Sequence, residues 1–235
     1  DKLAVIGDNR PRLYWSMVAV QALGGIPVPL YQDSVAEEMV YVLENADVKY
    51  AIVQNQEQTD KLLEIKDRLP HLEHICYVEP RGMRDYTQEF IHYYKDIQGQ
   101  GSVFNRENPD FYLHEIEQGQ GSDIAIFLYT SGTTGKPKGV VLTSDNLIIT
   151  ARNSIDFDGL TGEEVVLAYL PMAWVGDNIF SLAQAYVIGF CVNCPENPET
   201  VMTDLKEIGP TYYFAPPAIY ETMLTKVMIR MEDAS

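Results

Sequence analysis

Tyr129-Thr-Ser-Gly-Thr-Thr-Gly-Lys-Pro-Lys-Gly139 is the stretch on which the fold and the chemistry of this chain turn. It holds four serine or threonine hydroxyls, three glycines and two lysines in eleven positions, a mixture that no core strand or helix favours. Ile124-Ala-Ile-Phe-Leu-Tyr129 runs into it as an apolar strand, and Val140-Val-Leu-Thr143 leaves it as a second short strand. Glycines let backbone N–H groups approach an anion, hydroxyls donate to its oxygens and lysines supply charge, so the stretch reads as a phosphate-binding loop. A merely solvated loop between two strands is the bland alternative, and the crowding of hydroxyls argues against it.

Two better-known loops are excluded by position. The loop of kinases and GTPases needs glycine five places before its Gly-Lys pair and Ser or Thr after the lysine. Here Thr130 and Pro137 stand at those places. The nucleophile elbow of hydrolases needs glycine two residues before its serine, where Ser131 has Tyr129.

Working outward, the N-terminal half alternates strand and helix. Leu3–Ile6, Ile26–Leu30, Tyr50–Val53 and Ile75–Val78 are predicted strands. Between them lie a helix from Pro11 to Gly24, a second opened by a Ser34/Glu37 capping box, and a third from Glu57 to Leu69. Such alternation implies a parallel sheet covered on both faces. Helices are further expected over Tyr86–Ile97 and Pro109–Glu117, with Gly99, Gly101, Gly119 and Gly121 in exposed loops. Ser144 is expected to cap a helix to about Ile155, and residues 156–162 read as a boundary. Beyond it come strand Val165–Leu170, helix Asn178–Ile188, strand Phe190–Cys194, helix Thr200–Ile208, strand Tyr212–Ala215 and a helix from Pro217. The expected division is therefore residues 1–160, carrying the phosphate loop (129–139), and residues 161–235, part of a second α/β lobe.

The net charge of −17 would repel a phosphate backbone, which argues against nucleic acid as a partner. Three cysteines do not make a disulfide framework, and a reducing, cytoplasmic setting is expected. No secretory signal pattern opens the sequence. The charge-free run 13–32 is broken by Gly24, Gly25, Pro27 and Pro29, so it reads as a buried helix and strand rather than a membrane span. Cys191 and Cys194 have metal spacing but no second pair, and packing is the better reading. His71 and His74 lack further ligands and read as surface residues near a helix end.

Tyr169-Leu-Pro-Met-Ala-Trp-Val-Gly-Asp-Asn178 is a second constellation. It places Trp174 beyond the carboxyl end of a strand, where open α/β sheets bind ligands. The alternative reading makes Trp174 an ordinary core aromatic at a strand–helix joint, and position alone favours that alternative slightly.

Thr130-Ser-Gly-Thr-Thr-Gly-Lys-Pro-Lys-Gly139 resembles the signature loop of the adenylate-forming superfamily of acyl-CoA synthetases, luciferases and peptide-synthetase adenylation domains. The likeness extends from Val5-Ile-Gly-Asp-Asn9 to Pro216-Pro-Ala-Ile-Tyr220 and is greatest to long-chain acyl-CoA synthetases. It implies flavodoxin-like, doubly wound parallel sheets with the second lobe incomplete. It also implies activation of a carboxylate, expected to be a long-chain fatty acid, by ATP with release of pyrophosphate, then acyl transfer to coenzyme A. On that reading Thr130, Ser131, Thr133 and Thr134 donate hydroxyls to the nucleotide, while Gly132 and Gly135 admit it to the backbone. Lys138 is the catalytic phosphate cation, with Lys136 beside it, and Thr134 is the one nominated ligand for Mg²⁺. Trp174, Val175 and Gly176 match a motif whose aromatic lines the acyl pocket. Trp174 stands where histidine is common, so a histidine-dependent role is not expected. The resemblance also admits a homodimer and peripheral contact with the inner face of a membrane.

The family's adenine- and ribose-contacting segments and its mobile C-terminal domain have no counterpart in these residues. A piece of a longer synthetase, binding phosphate weakly and turning over poorly or not at all, is therefore expected. Two readings compete: an adenylation enzyme with a carrier-protein acceptor, and a non-catalytic α/β nucleotide-binding or interaction module.

Overall fold

Lys2–Ile6 (β1) sits inside a five-stranded sheet whose strands are all parallel. The computed structural model describes residues 1–130 and 136–233. Pro11–Ala22 (α1) follows β1, then Ile26–Leu30 (β2), Ala36–Asn45 (α2), Tyr50–Val53 (β3), Gln56–Ile65 (α3), His74–Tyr77 (β4) and Ile91–Tyr93 (β5). The order β2-β1-β3-β4-β5 is the flavodoxin-like one, which reverses direction between β1 and β3. Alternate residues of β1 serve two cores. Ala4 and Ile6 pack with Met39, Leu43 and Leu62 of α2 and α3, while Leu3 and Val5 pack with Leu13 and Met17 of α1. Strands buried on both faces must be apolar throughout, which is why Leu3–Ile6 and Ile26–Leu30 are continuous apolar runs.

The chain continues through Tyr94–Glu107 (α4) and Phe111–Gln118 (α5) to Ile124–Thr130 (β6) and Lys138–Thr143 (β7). The last two strands pair antiparallel. β6 lies beside β2 and runs in the same direction. Gln21 reaches Ala125 O (2.8 Å) near its start, and Tyr129 at its end shares a small cavity with Pro29 and Leu30. Ser144–Asp158 (α6) follows, buries Leu147, Ala151 and Ile155 at spacings of four, and ends at Gly159 in the left-handed region (φ 65°).

Beyond α6, Val165–Leu167 (β8) pairs parallel with Cys191–Asn193 (β9). Between them one helix runs from its first turn Val175–Asp177 (α7) through a wide π-helical turn, Asn178–Ala183, to Gln184–Ile188 (α8). Val201–Ile208 (α9) and Pro217–Asp233 (α10) complete the chain. The core on the α1 face of the sheet continues into Ala168, Met172, Leu182 and Ala183 of this segment.

Several expectations are corrected. Ser34 does not cap α2; Val35 holds the cap position without a side-chain bond, and the Ser34 N–H goes to Tyr31 O. Tyr86–Ile97 is not a helix, because Ile91–Tyr93 pairs with β4 at the sheet edge and α4 begins only at Tyr94. Gly99 and Gly101 lie inside α4, which an edge-to-face contact of Phe104 with Phe111 (5.1 Å) ties to α5. Thr143 rather than Ser144 caps α6, in a reciprocal box with Asn146. Strand β8 stops at Leu167, and Tyr212–Ala215 reduces to one bridge, Val166 to Tyr212. The expected Asn178–Ile188 helix opens a turn earlier, at Val175.

Candidate functional site

β6 delivers the chain to the loop and β7 receives it, so the loop closes a hairpin. Thr130 and Lys138 stand opposite one another at its base, and Tyr129 faces Gly139 one step below. Tyr129 is buried and donates to Asn45 Oδ1 (2.8 Å). A Cβ on Gly139 would come within 3.3 Å of the Tyr129 ring, so a side chain there would press on the strand that carries the loop. Ser131, Gly132, Thr133, Thr134 and Gly135 lie outside the described residues.

The two lysines part company. Lys136 Nζ sits 5.0 Å from the centre of the Tyr41 ring, turned back onto α2. Lys138 is exposed and, among the described residues, makes no ion pair.

Trp174 follows Pro171 in a tight turn, its N–H donating to Pro171 O (2.8 Å). It is 41% exposed and so is not the core aromatic of the alternative reading. Asn178, fully buried, donates to both Met172 O (2.8 Å) and Trp174 O (2.7 Å) and fixes the turn. Gly176 leaves room for Phe214: a Cβ there would stand 3.4 Å from its ring and 3.6 Å from Leu170. Phe214 stacks on Phe180 at 3.8 Å. The Phe180–Phe214 stack thus lies beside Gly176, beyond the end of β8.

Two groups that sequence reasoning passed over, Asn9 and Tyr14, hold this turn from behind, and a third, Arg10, ties the same corner to another part of the chain. Asn9 donates through Nδ2 to Tyr14 Oη (2.7 Å) and Leu170 O (2.8 Å). Tyr14 Oη lies 2.9 and 2.8 Å from the two carboxyl oxygens of Asp177. Arg10 spans to the chain after β9, donating to Pro195 O (2.9 Å) and Glu196 O (2.7 Å). Burial pushes the Asp177 carboxyl up to about 7, with hydrogen bonds from Tyr14 and Ser181 pulling the other way. Burial likewise raises the Tyr14 phenol, further assisted by Asp177, and lifts the Cys194 thiol to about 12. Only the Gly7-Asp8-Asn9 turn after a strand signalled this corner in sequence.

A cavity of about 530 Å³ opens between these parts, lined among others by Asp8, Tyr31, Tyr169, Met172 and Tyr213. It lies where β1, β2 and β8 end, the edge at which open α/β sheets take ligands.

Other candidates resolve simply. Cys191 and Cys194 are free thiols, and among the described residues no three His, Cys, Asp or Glu gather to hold a metal. His71 pairs with Asp47 (3.5 Å), whereas His74 lies in β4, not at a helix end, and hydrogen bonds His92 (2.9 Å).

The model of the AMP-binding enzyme family matches residues 1–234. This chain belongs to that family. It is 30% identical over 247 residues to the long-chain-fatty-acid–CoA ligase ACSBG1 of Homo sapiens, covering 99% of this chain and 32% of the relative. The ACSBG1 of Rattus norvegicus is 29% identical over 246 residues, with the same coverage. The chain thus spans about a third of the length of these relatives. Among solved structures, the anthranilate CoA ligase AuaEII in complex with anthranoyl-AMP superposes with a TM-score of 0.72 at 21% identity, over 92% of this chain and 40% of that one. ATP-bound MatB from Rhodopseudomonas palustris gives 0.68 at 17%, over 95% and 41%. At these identities the likeness bears on the fold, which is that of adenylate-forming enzymes.

Proposed function

We propose that the protein containing this chain activates a carboxylic acid, a long-chain fatty acid by preference, with ATP and passes the acyl group to coenzyme A. The observation that carries the reading is the hairpin-closing loop of hydroxyls, glycines and lysines at the end of β6, in a chain of the AMP-binding family. Curated relatives named as long-chain-fatty-acid–CoA ligases favour the acyl choice, and a structural neighbour described as ATP-bound favours the nucleotide.

In the first step the carboxylate oxygen attacks the α-phosphorus of ATP, and the bond to the bridging oxygen breaks as pyrophosphate leaves. The charge that grows on the leaving group needs donors and a cation fixed in advance. Thr130 and Lys138, opposed at the neck of the hairpin, are the described residues for that task. Ser131, Gly132, Thr133, Thr134 and Gly135 would complete the cradle. In the second step the coenzyme A thiol displaces AMP from the acyl carbon. Magnesium would be held chiefly by the nucleotide's phosphates, with Thr134 the one nominated protein ligand. Trp174, Val175 and Gly176 would form the acyl wall.

A cytoplasmic setting belongs to this reading, supported by three free cysteines. Among the described residues no helix is long and apolar enough to cross a membrane; peripheral contact with the inner face of a membrane belongs to the proposal. A homodimer remains part of the proposal.

Carboxylate-dependent ATP–pyrophosphate exchange tests the reading, on this chain and on any longer natural form that carries it, with acids from acetate to palmitate. Exchange strongest with long acids supports it. No exchange in any form, with nucleotide affinity unchanged in Lys138→Ala, would leave a binding module.

A further inference from the structure

The contact between Tyr14 and Asp177 joins parts of the chain 163 positions apart, with both side chains buried. Their hydrogen atoms can be counted. Asn9 has two amide hydrogens, and its short bonds to Tyr14 Oη (2.7 Å) and Leu170 O (2.8 Å) use both; Asp177 Oδ1 stands off at 3.4 Å. Tyr14 has one phenolic hydrogen, yet its oxygen lies at bonding distance from both oxygens of Asp177, 2.9 and 2.8 Å. One proton shared between both lines makes two bent bonds, whereas a second proton makes each of them full. A proton on the carboxyl supplies the second bond, and Tyr14 Oη then accepts from Asn9 and Asp177 and donates to the remaining oxygen.

Hydrogen bonds from Tyr14 and Ser181 favour the ionised form, but burial outweighs them. Asp177 is fully buried, and among the described residues no cation pairs with it. Arg10, at the start of α1, spends its guanidinium on the carbonyls of Asn9, Pro195 and Glu196 and lies 3.6 Å from Asp8. Cys194, at the end of β9, faces Asp177 as a neutral thiol, and Tyr14 faces it from α1 as a neutral phenol. Ser181, one turn along the same helix, adds only a hydroxyl.

Asp177 closes the single helical turn that begins at Val175, three residues after Trp174, and the wide π-helical turn starts at the next residue. π-turns inside helices recur at functional sites. Asn9 holds Leu170 at the other end of the same turn. The corner between β1 and α1 therefore grips the Leu170–Asp177 segment at both ends.

We propose that Asp177 is a positioning residue for the acyl-binding turn: its protonated carboxyl, engaged with Tyr14, ties Trp174, Val175 and Gly176 to the β1–α1 corner, and the tie loosens when the carboxyl ionises. This rests on the reading of Trp174 as the acyl wall. Ionisation removes the carboxyl-donated bond to Tyr14 and leaves a buried charge with no cation. Burial sets the change near neutral pH, at about 7. The device would make affinity for the acid fall as pH rises through that range, with the chemical step less affected.

Trp15 and Trp174 are the two tryptophans of the chain, so Trp15→Phe leaves Trp174 as sole reporter. Its emission maximum and acrylamide quenching, followed from pH 5.5 to 8.5, are expected to show one transition near neutrality. Asp177→Asn in the same background should abolish it. Tyr14→Phe should move it to higher pH, because the ionised carboxyl loses its donor. In pyrophosphate exchange, KM for palmitate should rise severalfold over the same range while kcat changes little, and Asp177→Asn should flatten that rise. A featureless trace, or a transition unmoved by both substitutions, would overturn the proposal. So would a palmitate KM that does not change with pH in an exchanging enzyme. Exchange absent with every acid, beside an intact fluorescence transition, would instead sink the synthetase reading and leave Asp177's hold on the turn supported.

Discussion

Lys136 Nζ stands 5.0 Å from the centre of the Tyr41 ring, whereas Lys138, two residues on and opposite Thr130, makes no ion pair among the described residues. Of the two lysines, Lys138 alone stands at the neck of the hairpin without an aromatic or ionic partner among the described residues.

The two lysines should therefore respond differently to removal. If Lys138 meets the nucleotide as proposed, Lys138→Ala deletes a charged contact worth about 1.5–3 kcal/mol, so ATP affinity by titration calorimetry should fall roughly tenfold to a hundredfold. Lys136→Ala deletes an exposed cation–π contact worth about 0.5–1 kcal/mol; it should lower unfolding stability by that order and leave ATP affinity nearly unchanged. Equal losses of affinity in the two variants would contradict the division.

Gly7, at the end of β1, has φ 155°, and a Cβ there would meet Gln54 Cβ at 2.5 Å and Leu13 Cδ1 at 2.8 Å. Neither neighbour can withdraw cheaply, since the Gln54 amide oxygen caps Asp8 N (2.6 Å) and Leu13 is wholly buried. Gly7→Ala should cost on the order of 2–4 kcal/mol, adding backbone strain to overpacking. A lower urea midpoint at unchanged slope would report it.

If Trp174 is the acyl wall, its removal should penalise long acids more than short ones, because each methylene it covers contributes about 0.8 kcal/mol. Trp174→Ala should raise KM for palmitate at least tenfold in pyrophosphate exchange and leave that for acetate within a few-fold. A uniform loss across acids would place Trp174 outside the acyl path.

Much of the five-stranded sheet was legible because its determinants are local. Apolar runs such as Leu3–Ile6, ahead of Pro11, and Ile26–Leu30, after Gly24–Gly25, read as buried strands on either side of a helix, and such alternation dictates a parallel sheet. Register and partner are not local. The antiparallel return of β7 on β6 leaves no mark in the pattern of Val140–Leu142, and Ile91–Tyr93 became a strand only because β4 offered it an edge. Gly99 and Gly101 spoke for loops by propensity, yet lie within α4, where tertiary context outweighs a cost of about 1 kcal/mol each. At the site, the loop chemistry and the Trp174 turn were visible as motifs. Asn9 and Tyr14 were not, since nothing local announces a partner at Asp177.

Asp177 also sets a pH dependence of stability whose sign can be worked out. Its carboxyl rises from an ordinary 3.8 to about 7 in the fold, chiefly through burial. The folded state therefore keeps a proton that the unfolded state has released between these values, and stability falls as pH rises through that window. The contribution is complete below the lower value and lost above the upper one. At about 1.4 kcal/mol per unit it amounts to something on the order of 4 kcal/mol. Exposed carboxylates held down by partners, such as Glu37 beside Arg68 and Glu164 beside Thr211, work in the opposite sense, so the raw profile mixes the two. The difference between the protein and Asp177→Asn isolates the buried group, because the amide stays neutral throughout. Urea unfolding at intervals from pH 4 to 8 should give a difference that grows steadily in favour of the variant as pH rises and levels off above neutrality. A difference independent of pH would mean that Asp177 is ionised in the fold throughout, and that the two contacts of Tyr14 share a single proton after all.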